Sequence, residues 1–434
     1  MTRDDQAYLH TEEKLDNGLK LLHLDLPHTH GAALVARVEG GPICETPQNL
    51  GISHLLEHLH LSVSPRYASR HEMLRALDDL PGTVDAETGS SAVYFAFDVA
   101  PQKLVEASAF LAEILPHRSF SREVIQSEAA LLSTELVSMD EYRCAPVERL
   151  FKGHAYGQPQ GGHSKSFRRL TCEQIEDFDR RMFRPEAMTV GAVGPLGAGR
   201  LEAIRENLSS IGSPGGERLT FPEPPKLTLP GIDTFAGRGR MCHSTIAFRM
   251  PSPPAAGPYI AMKIAAMGLT RLSSPLYAKL RYSSGIAYAF DTDWTEFPGV
   301  HLLWIYGVTM PRNRERFLEE VLKELRSTCT SGTPRPWFEP ARLDYLYFVE
   351  RAMDFPASIA RRLVNDPYLF DGQGTLGIPD ETRFVRDMTW PGAREVYAEV
   401  FRRENVFVCA QKIHRILDGP RFRRHVAGLI EQLA

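Results

Sequence analysis

His54 and His58 stand four residues apart, with Glu57 between them, in the apolar stretch Gly51-Ile52-Ser53-His54-Leu55-Leu56-Glu57-His58-Leu59. On an α-helix four residues turn about 400°, so the two imidazoles share a face, about 40° apart and one turn along the axis. Nitrogens held that way can take two of the four positions around a zinc ion. Glu57 points about 60° from His54 and about 100° from His58, so it can border the same site without being a ligand. The order His-x-x-Glu-His reverses the commoner His-Glu-x-x-His of zinc peptidases. Taken alone, two histidines on an ordinary amphipathic helix account for these residues equally well.

A catalytic zinc usually has three protein ligands and a position open to water, so a third donor must come from another element. Residues 121–139 read as a long helix carrying Glu128 and Glu135. Seven residues make nearly two turns, which puts both carboxylates on one face. Acidic residues on helices are normally solvated. Here Ala129-Ala130-Leu131-Leu132 and Leu136-Val137 make the helix unusually apolar, and a glutamate on it needs a partner.

The elements that must position these groups follow from periodicity and punctuation. Residues 18–24 and 32–38 read as a strand pair, broken after the second strand by Gly40-Gly41-Pro42, and the histidine helix spans about 51–61. Helical period returns over 71–80, ending at Pro81-Gly82; 93–99 is a strand, and 101–115 a helix with Pro101 at its start. Thr171 is placed to cap a helix running to about Met182, and a strand follows over 188–194. Ser209 to Pro230 then holds five prolines and three glycines in 22 residues, the composition of a linker.

Beyond the linker the plan repeats. Phe183-Arg184-Pro185-Glu186-Ala187-Met188-Thr189-Val190 matches Phe401-Arg402-Arg403-Glu404-Asn405-Val406-Phe407-Val408, each after an amphipathic helix and opening a strand. The strand and helix at 93–99 and 101–115 have counterparts at 302–308 and 312–326. The expected fold class is α+β: two structurally repeated α/β-sandwich domains, each an antiparallel-rich sheet with helices packed on it. Residues 1–208 form the zinc-bearing domain, 209–230 the linker and 231–434 the repeat. The aligned region near 262–280 has no histidine, so only the first half can carry the metal.

Composition narrows the partners. The 434 residues exceed one ordinary core. At 43% hydrophobic and 24% charged residues, disorder is not indicated. A net charge of −4, with the charges interspersed, gives no electrostatic reason to expect nucleic acid or an anionic membrane. No apolar run is long enough to span a bilayer, and the polar, acidic Met1–Gln6 does not read as a signal or transit sequence. The six cysteines have no Cys-x-x-Cys spacing and are expected to be reduced and buried. A cytoplasmic location is expected.

Spacing then extends the motif. Residues 59–134, 76 in number, separate His58 from Glu135, and Glu128 precedes Glu135 by seven. This pattern resembles the pitrilysin/insulin-degrading-enzyme (inverzincin) family of zinc metallopeptidases, in particular its half-size branch, which resembles mitochondrial processing peptidase. Asn17-Gly18-Leu19, Thr83-Val84-Asp85-Ala86-Glu87-Thr88, the segment Leu170-Thr171 to Pro185 and Gly194, and residues 274–290 match further stretches of the family's pattern. The resemblance implies a half-clamshell in which His54, His58 and Glu135 bind one zinc ion, Glu57 is the general base and Glu128 acts behind the ligands. It implies that Val84, Asp85, Ala86, Glu87 and Thr88 form an edge strand for an extended peptide substrate. Arg281 and Tyr288, seven apart, match the pair that in this family reaches the scissile carbonyl, expected here to serve a partner's site.

A homodimer is the favoured assembly; a heterodimer with a zinc-less paralogue is the alternative. The rival to a peptidase is a non-catalytic scaffold or assembly subunit, which usually shows a degraded zinc motif. The chain departs from the family's pattern at Asp85, where Asn is usual, at Gly89-Ser90-Ser91-Ala92-Val93, at Glu186-Ala187 and at Met267-Gly268-Leu269-Thr270. These departures bear on substrate preference. His60 points about 160° from His58, as a surface or packing residue does. His71, His117, His154 and His163 have no acid or histidine at ligand spacing.

Overall fold

Ala32-Ala33-Leu34-Val35-Ala36-Arg37-Val38 lacks the polar–apolar alternation of a half-exposed strand, and such a run requires cover on both faces. In the computed structural model this segment is a strand with seven of its eight residues buried. The structure describes residues 9–67, 69–136, 141–237, 240–252, 254–370, 377–413 and 418–433.

The strands are β1 (Thr11–Lys14), β2 (Lys20–Asp25), β3 (Ala32–Glu39), β4 (Gly82–Thr88), β5 (Ala92–Val99), β6 (Met188–Gly194), β7 (Gly231–Phe235), β8 (Cys242–Met250), β9 (Ala287–Phe297), β10 (Val300–Thr309) and β11 (Val406–Gln411). The longer helices of the first half are α1 (Ile52–His60), α2 (Arg70–Asp78), α3 (Leu104–Ile114), α4 (Arg122–Glu135), α5 (Glu141–Leu150), α6 (Cys172–Met182) and α7 (Gly197–Ser209). Those of the second half are α8 (Ala256–Thr270), α9 (Arg314–Thr330), α10 (Phe338–Ala352), α11 (Pro356–Leu369), α12 (Ile378–Asp387), α13 (Trp390–Val400) and α14 (Asp418–Ile430). The helix expected over 121–139 is described to Glu135; residues 137–139 lie outside the described residues.

The first sheet has the order β1-β2-β6-β3-β5-β4 and the second β7-β11-β8-β10-β9. Set β2-β6-β3-β5-β4 against the second order and every neighbour and direction agrees. The first pair in each is parallel and the rest are antiparallel. The repeat expected from the two matching segments is therefore a repeat of topology, and β6 and β11, which those segments open, occupy the same place in each sheet.

One face of the first sheet, through Leu21, Leu34, Phe95 and Phe97, packs against α1, α3, α6 and α7. The other face receives α11 from the second half: Ile359, Ala360, Leu363 and Val364 meet Leu22, Val35 and Val193. The backbone approach is close enough that a Cβ on Gly191 would lie 2.8 Å from the Ala360 carbonyl oxygen. In return α5 and the following Phe151 and Tyr156 pack with Phe235, Ala247, Trp304 and Phe407 of the second sheet. Each half lends a helix to the other's sheet, and residues 211–230 between them form no helix or strand.

Cys242, Cys329 and Cys409 are buried as expected, but Cys44 and Cys144 are half-buried and Cys172 is exposed. Cys172 is the first residue of α6, in the turn that precedes the buried Ile175 and Phe178. No helix among the described residues is long and apolar enough to cross a membrane.

Candidate metal centre

Ile52, Leu55, Leu56 and Leu59 turn one face of α1 into the core, which leaves His54, Glu57 and His58 on the other. Both ends of the helix are tied down. At the start Gly51 adopts φ +86°, and the buried Glu45 carboxylate accepts the Gly51 and Ser53 N–H groups at 2.7 and 2.9 Å. Those are donors that a helix leaves without internal partners. At the other end His60 is fully buried, so of the two expected roles it has the packing one. Its ring stacks on Phe183 with centroids 3.6 Å apart. Its Nε2 lies 2.6 Å from Asp179 Oδ1 and its Nδ1 2.5 Å from the Ile114 carbonyl oxygen. Asp179 also bonds His117 Nδ1 at 2.5 Å and accepts the Arg118 N–H at 2.9 Å. Sequence spacing offered His117 no partner; the acid that supplies one is 62 residues away.

The helix α4 crosses the open face of α1. Glu135 Oε2 lies 3.8 Å from His54 Nε2 and 3.7 Å from His58 Nε2. Two ligands on a tetrahedral zinc with bonds of about 2.0–2.1 Å are roughly 3.3–3.4 Å apart, so Glu135 stands within a few tenths of an ångström of that spacing from each histidine. One turn-pair back on α4, Glu128 is buried, with Oε2 3.4 Å from His58 Nδ1. Arg70, at the start of α2, grips both Glu128 oxygens at 2.6 and 2.7 Å. Burial alone would raise the Glu128 carboxyl, but the bonds to His58 and Arg70 outweigh it and hold it below the ordinary carboxylate value. A carboxylate placed so can orient the His58 ring through the nitrogen that faces away from Glu135.

Electrostatics divides the two histidines. Burial, and then the neighbouring His58, push His54 down to about 4, so it stands neutral, as a ligand must. Burial works the same way on His58, but the Glu128 bond and the charges of Glu57, Glu135 and Glu128 hold its pKa above the ordinary imidazole value. A metal held by His58 would have to displace that proton.

Glu57 also offers an oxygen within 4.8 Å of both imidazoles. It is only 7% exposed and is held from the neighbouring sheet: Thr88 Oγ1 donates to Glu57 Oε2 at 2.5 Å. Burial raises its pKa, with Glu135 and Asp85 acting in the same direction and the Thr88 bond and His58 opposing.

Thr88 ends β4, which is the edge strand of the first sheet, as expected for a peptide-binding edge. Val84 and Ala86 pack on the α1 side, whereas Glu87 is paired with Arg361 of α11 at 2.7 Å and Asp85 is exposed. Arg281 and Tyr288 meet each other: the guanidinium donates to the Tyr288 carbonyl and lies 5.4 Å from its ring centroid. Arg281 sits in the π-helical turn Lys279–Ser283 and Tyr288 on β9, the edge of the second sheet. Tyr288 is 70% exposed, which rules out a core role.

With this geometry in place, comparison with known proteins agrees. Residues 21–163 match the family model described as Insulinase (Peptidase family M16), and 169–341 the one described as Peptidase M16 inactive domain. An uncharacterized zinc protease from Mycobacterium tuberculosis is 26% identical over 333 residues, 73% of this chain and 74% of that one. The probable mitochondrial-processing peptidase subunit beta of Schizosaccharomyces pombe is 22% identical over 215 residues, 48% and 47% of the respective chains. A crystal structure of a protease from Helicobacter pylori superposes with a TM-score of 0.81 at 15% identity, covering 94% of this chain and 100% of that one. The His-x-x-Glu-His helix, the repeated sheets and both family models place this chain in peptidase family M16.

Proposed function

We propose that the chain is a zinc-dependent endopeptidase acting on peptides, or on precursor or leader segments, bound in extended form. The observation that carries this reading is the approach of Glu135 to both His54 and His58 within 3.8 Å, with Glu57 separately held beside them. His54, His58 and Glu135 are the ligands. When bound, zinc polarises the peptide carbonyl and lowers the pKa of an attacking water toward ~7. Glu57 takes the water proton and returns it to the departing amine as the C–N bond breaks. Its raised pKa suits a group that must first accept and then donate. Glu128 orients His58. The substrate adds a strand to the β4 edge, its backbone paired with Val84 to Thr88.

Arg281 and Tyr288, exposed on the second half, complete the site of a second subunit by donating to the developing oxyanion, an effect worth a few kcal/mol per donor in comparable sites. A homodimer enclosing a chamber follows, because one chain carries both parts; a cytoplasmic location goes with this reading. The relative from S. pombe, named as a subunit, supports pairing as a mode of the family.

Metal analysis of wild type and Glu57→Gln, with cleavage of a peptide library mapped by mass spectrometry, tests the reading. Stoichiometric zinc in both proteins and cleavage only in wild type is the expected result. Absence of zinc, or equal activity in both, overturns it. Light scattering tests the pairing: a monomer that cleaves peptides at nanomolar concentration removes the trans role of Arg281 and Tyr288.

A further inference from the structure

A general base must present one oxygen in a fixed place, and a glutamate has three rotatable bonds with which to lose it. From α1 itself the Glu57 carboxylate receives the electrostatic pull of His58 but, among the described residues, no hydrogen bond. The contact that fixes it comes from the neighbouring sheet: Thr88 Oγ1 donates to Oε2 at 2.5 Å, leaving Oε1 for the reaction. We infer that Thr88 is the positioning residue of the catalytic base, its hydroxyl locking Glu57 in the proton-accepting orientation. The inference rests on the reading of Glu57 given above and assigns Thr88 a task beyond lining the substrate strand.

The placement of Thr88 is itself rigid. It pairs with Val93 across the β4–β5 hairpin, whose turn closes through the Gly89 N–H to the Ala92 carbonyl at 2.9 Å. The hairpin tip is bolted to the segment leading into α1: Ile43 and Gly40 donate their N–H groups to the Ser90 and Ser91 carbonyls at 3.2 and 3.1 Å. Ser90 Oγ donates to Gln160 Oε1 at 3.0 Å. The branched Thr side chain has few rotamers to lose, so the hydroxyl is presented at little entropic cost. A hydroxyl given to a carboxylate is also a charge-assisted bond, stronger than a neutral one, and Glu57 is buried enough that water competes poorly for it.

The test compares the full-length wild type, Thr88→Val, Thr88→Ser and Glu57→Gln. Valine keeps the shape and the strand propensity and removes the hydroxyl; serine keeps the hydroxyl. Each protein is assayed for zinc content, melting temperature, and kcat and KM on a peptide that wild type cleaves. Metal-free crystal structures of Thr88→Val and Thr88→Ser read the Glu57 rotamer directly. The expected result for Thr88→Val is full zinc content, a kcat lower by roughly 10- to 100-fold with KM within about twofold, and a displaced Glu57 carboxylate. Thr88→Ser recovers most of kcat and the wild-type rotamer. Unchanged kcat, a rise confined to KM, equal loss in Thr88→Ser, or loss of zinc or of a cooperative melt in Thr88→Val each overturn the inference. A failure of the proposed function shows differently, as a zinc-loaded wild type that cleaves nothing; the crystallographic arm still decides whether Thr88 holds Glu57.

Discussion

Glu128 is the residue at which the candidate metal centre meets the rest of the fold. Its carboxylate faces His58 Nδ1 on one side and is clamped by Arg70 on the other. An imidazole whose far nitrogen is bonded to a carboxylate has its ring orientation fixed and its ligand strength raised. Glu128→Gln keeps the volume and removes the charge; zinc affinity should fall roughly 10- to 100-fold, measured by competition with a chromogenic chelator. An affinity equal to wild type would show that His58 needs no such support. The histidine pair and the glutamate 77 residues past His58 were readable in the sequence, because a metal demands particular atoms at particular intervals along helices. Thr88, Arg70 and Glu45 were not readable as supports for the site. Thr88 and Arg70 act across loops whose length carries no information about where the chain returns, and Glu45 caps α1 from an irregular segment with no periodic pattern.

At the scale of the element, α1 is a nine-residue helix fixed at both ends. Its last residue, His60, ties it to Asp179 of α6 inside the core. Burial would raise the Asp179 carboxyl. The interaction with His60, with bonds from His117, His60 and the Arg118 N–H, outweighs burial and holds it below the ordinary aspartate value, while burial lowers His60 itself. A depressed folded-state pKa means the unfolded chain binds the proton first as pH falls, so this stability is present above the ordinary aspartate value and is lost as pH drops through the lower folded value. Asp179→Asn should cost about 3–5 kcal/mol at neutral pH, because it strands buried partners. The deficit against wild type should narrow in acid as Asp179 in the wild type protonates. Denaturant titrations at pH 7 and near pH 3 check both; a deficit that widens in acid contradicts the sign. The same network explains why geometry on the helix alone described His60 only as surface or packing: rotation away from His58 is a local property, and a buried acid on another helix is not.

The whole molecule is held together by exchange. Helix α11 covers the first sheet and α5 the second, so neither half completes its own sandwich. Tyr94 and Glu87 of the first sheet bond Asn365 and Arg361 of α11, and Arg143 of α5 bridges Asp291 and Asp293 of β9. A cut within the exposed stretch 213–218 should therefore leave the two pieces together on size-exclusion chromatography, and residues 1–212 expressed alone should fail to give a cooperative melt. Separation of the cut pieces would show that the exchanged helices contribute little. At Gly191 a side chain would strike the Ala360 backbone, so Gly191→Val should destabilise the protein by about 1–3 kcal/mol and loosen α11, read as faster hydrogen exchange over 356–369. Because Arg361 also holds Glu87 on the β4 edge, loosening α11 reaches the strand expected to bind peptide.

The sequence by itself determined the candidate donors and the plan: a metal needs donors of fixed type, helical spacing puts them on one face, and a repeat of strand and helix signals implies two like sheets. Both are local or periodic properties, which a linear pattern can carry. Tertiary structure decided which oxygen lies beside which nitrogen, which of two glutamates on α4 is buried behind His58 and which is open beside both histidines, and which hydroxyl bonds Glu57. It also decided that the continuous apolar run of β3 is covered by a helix from beyond the linker. Contacts of that kind depend on where distant segments meet, and no spacing along the chain records it.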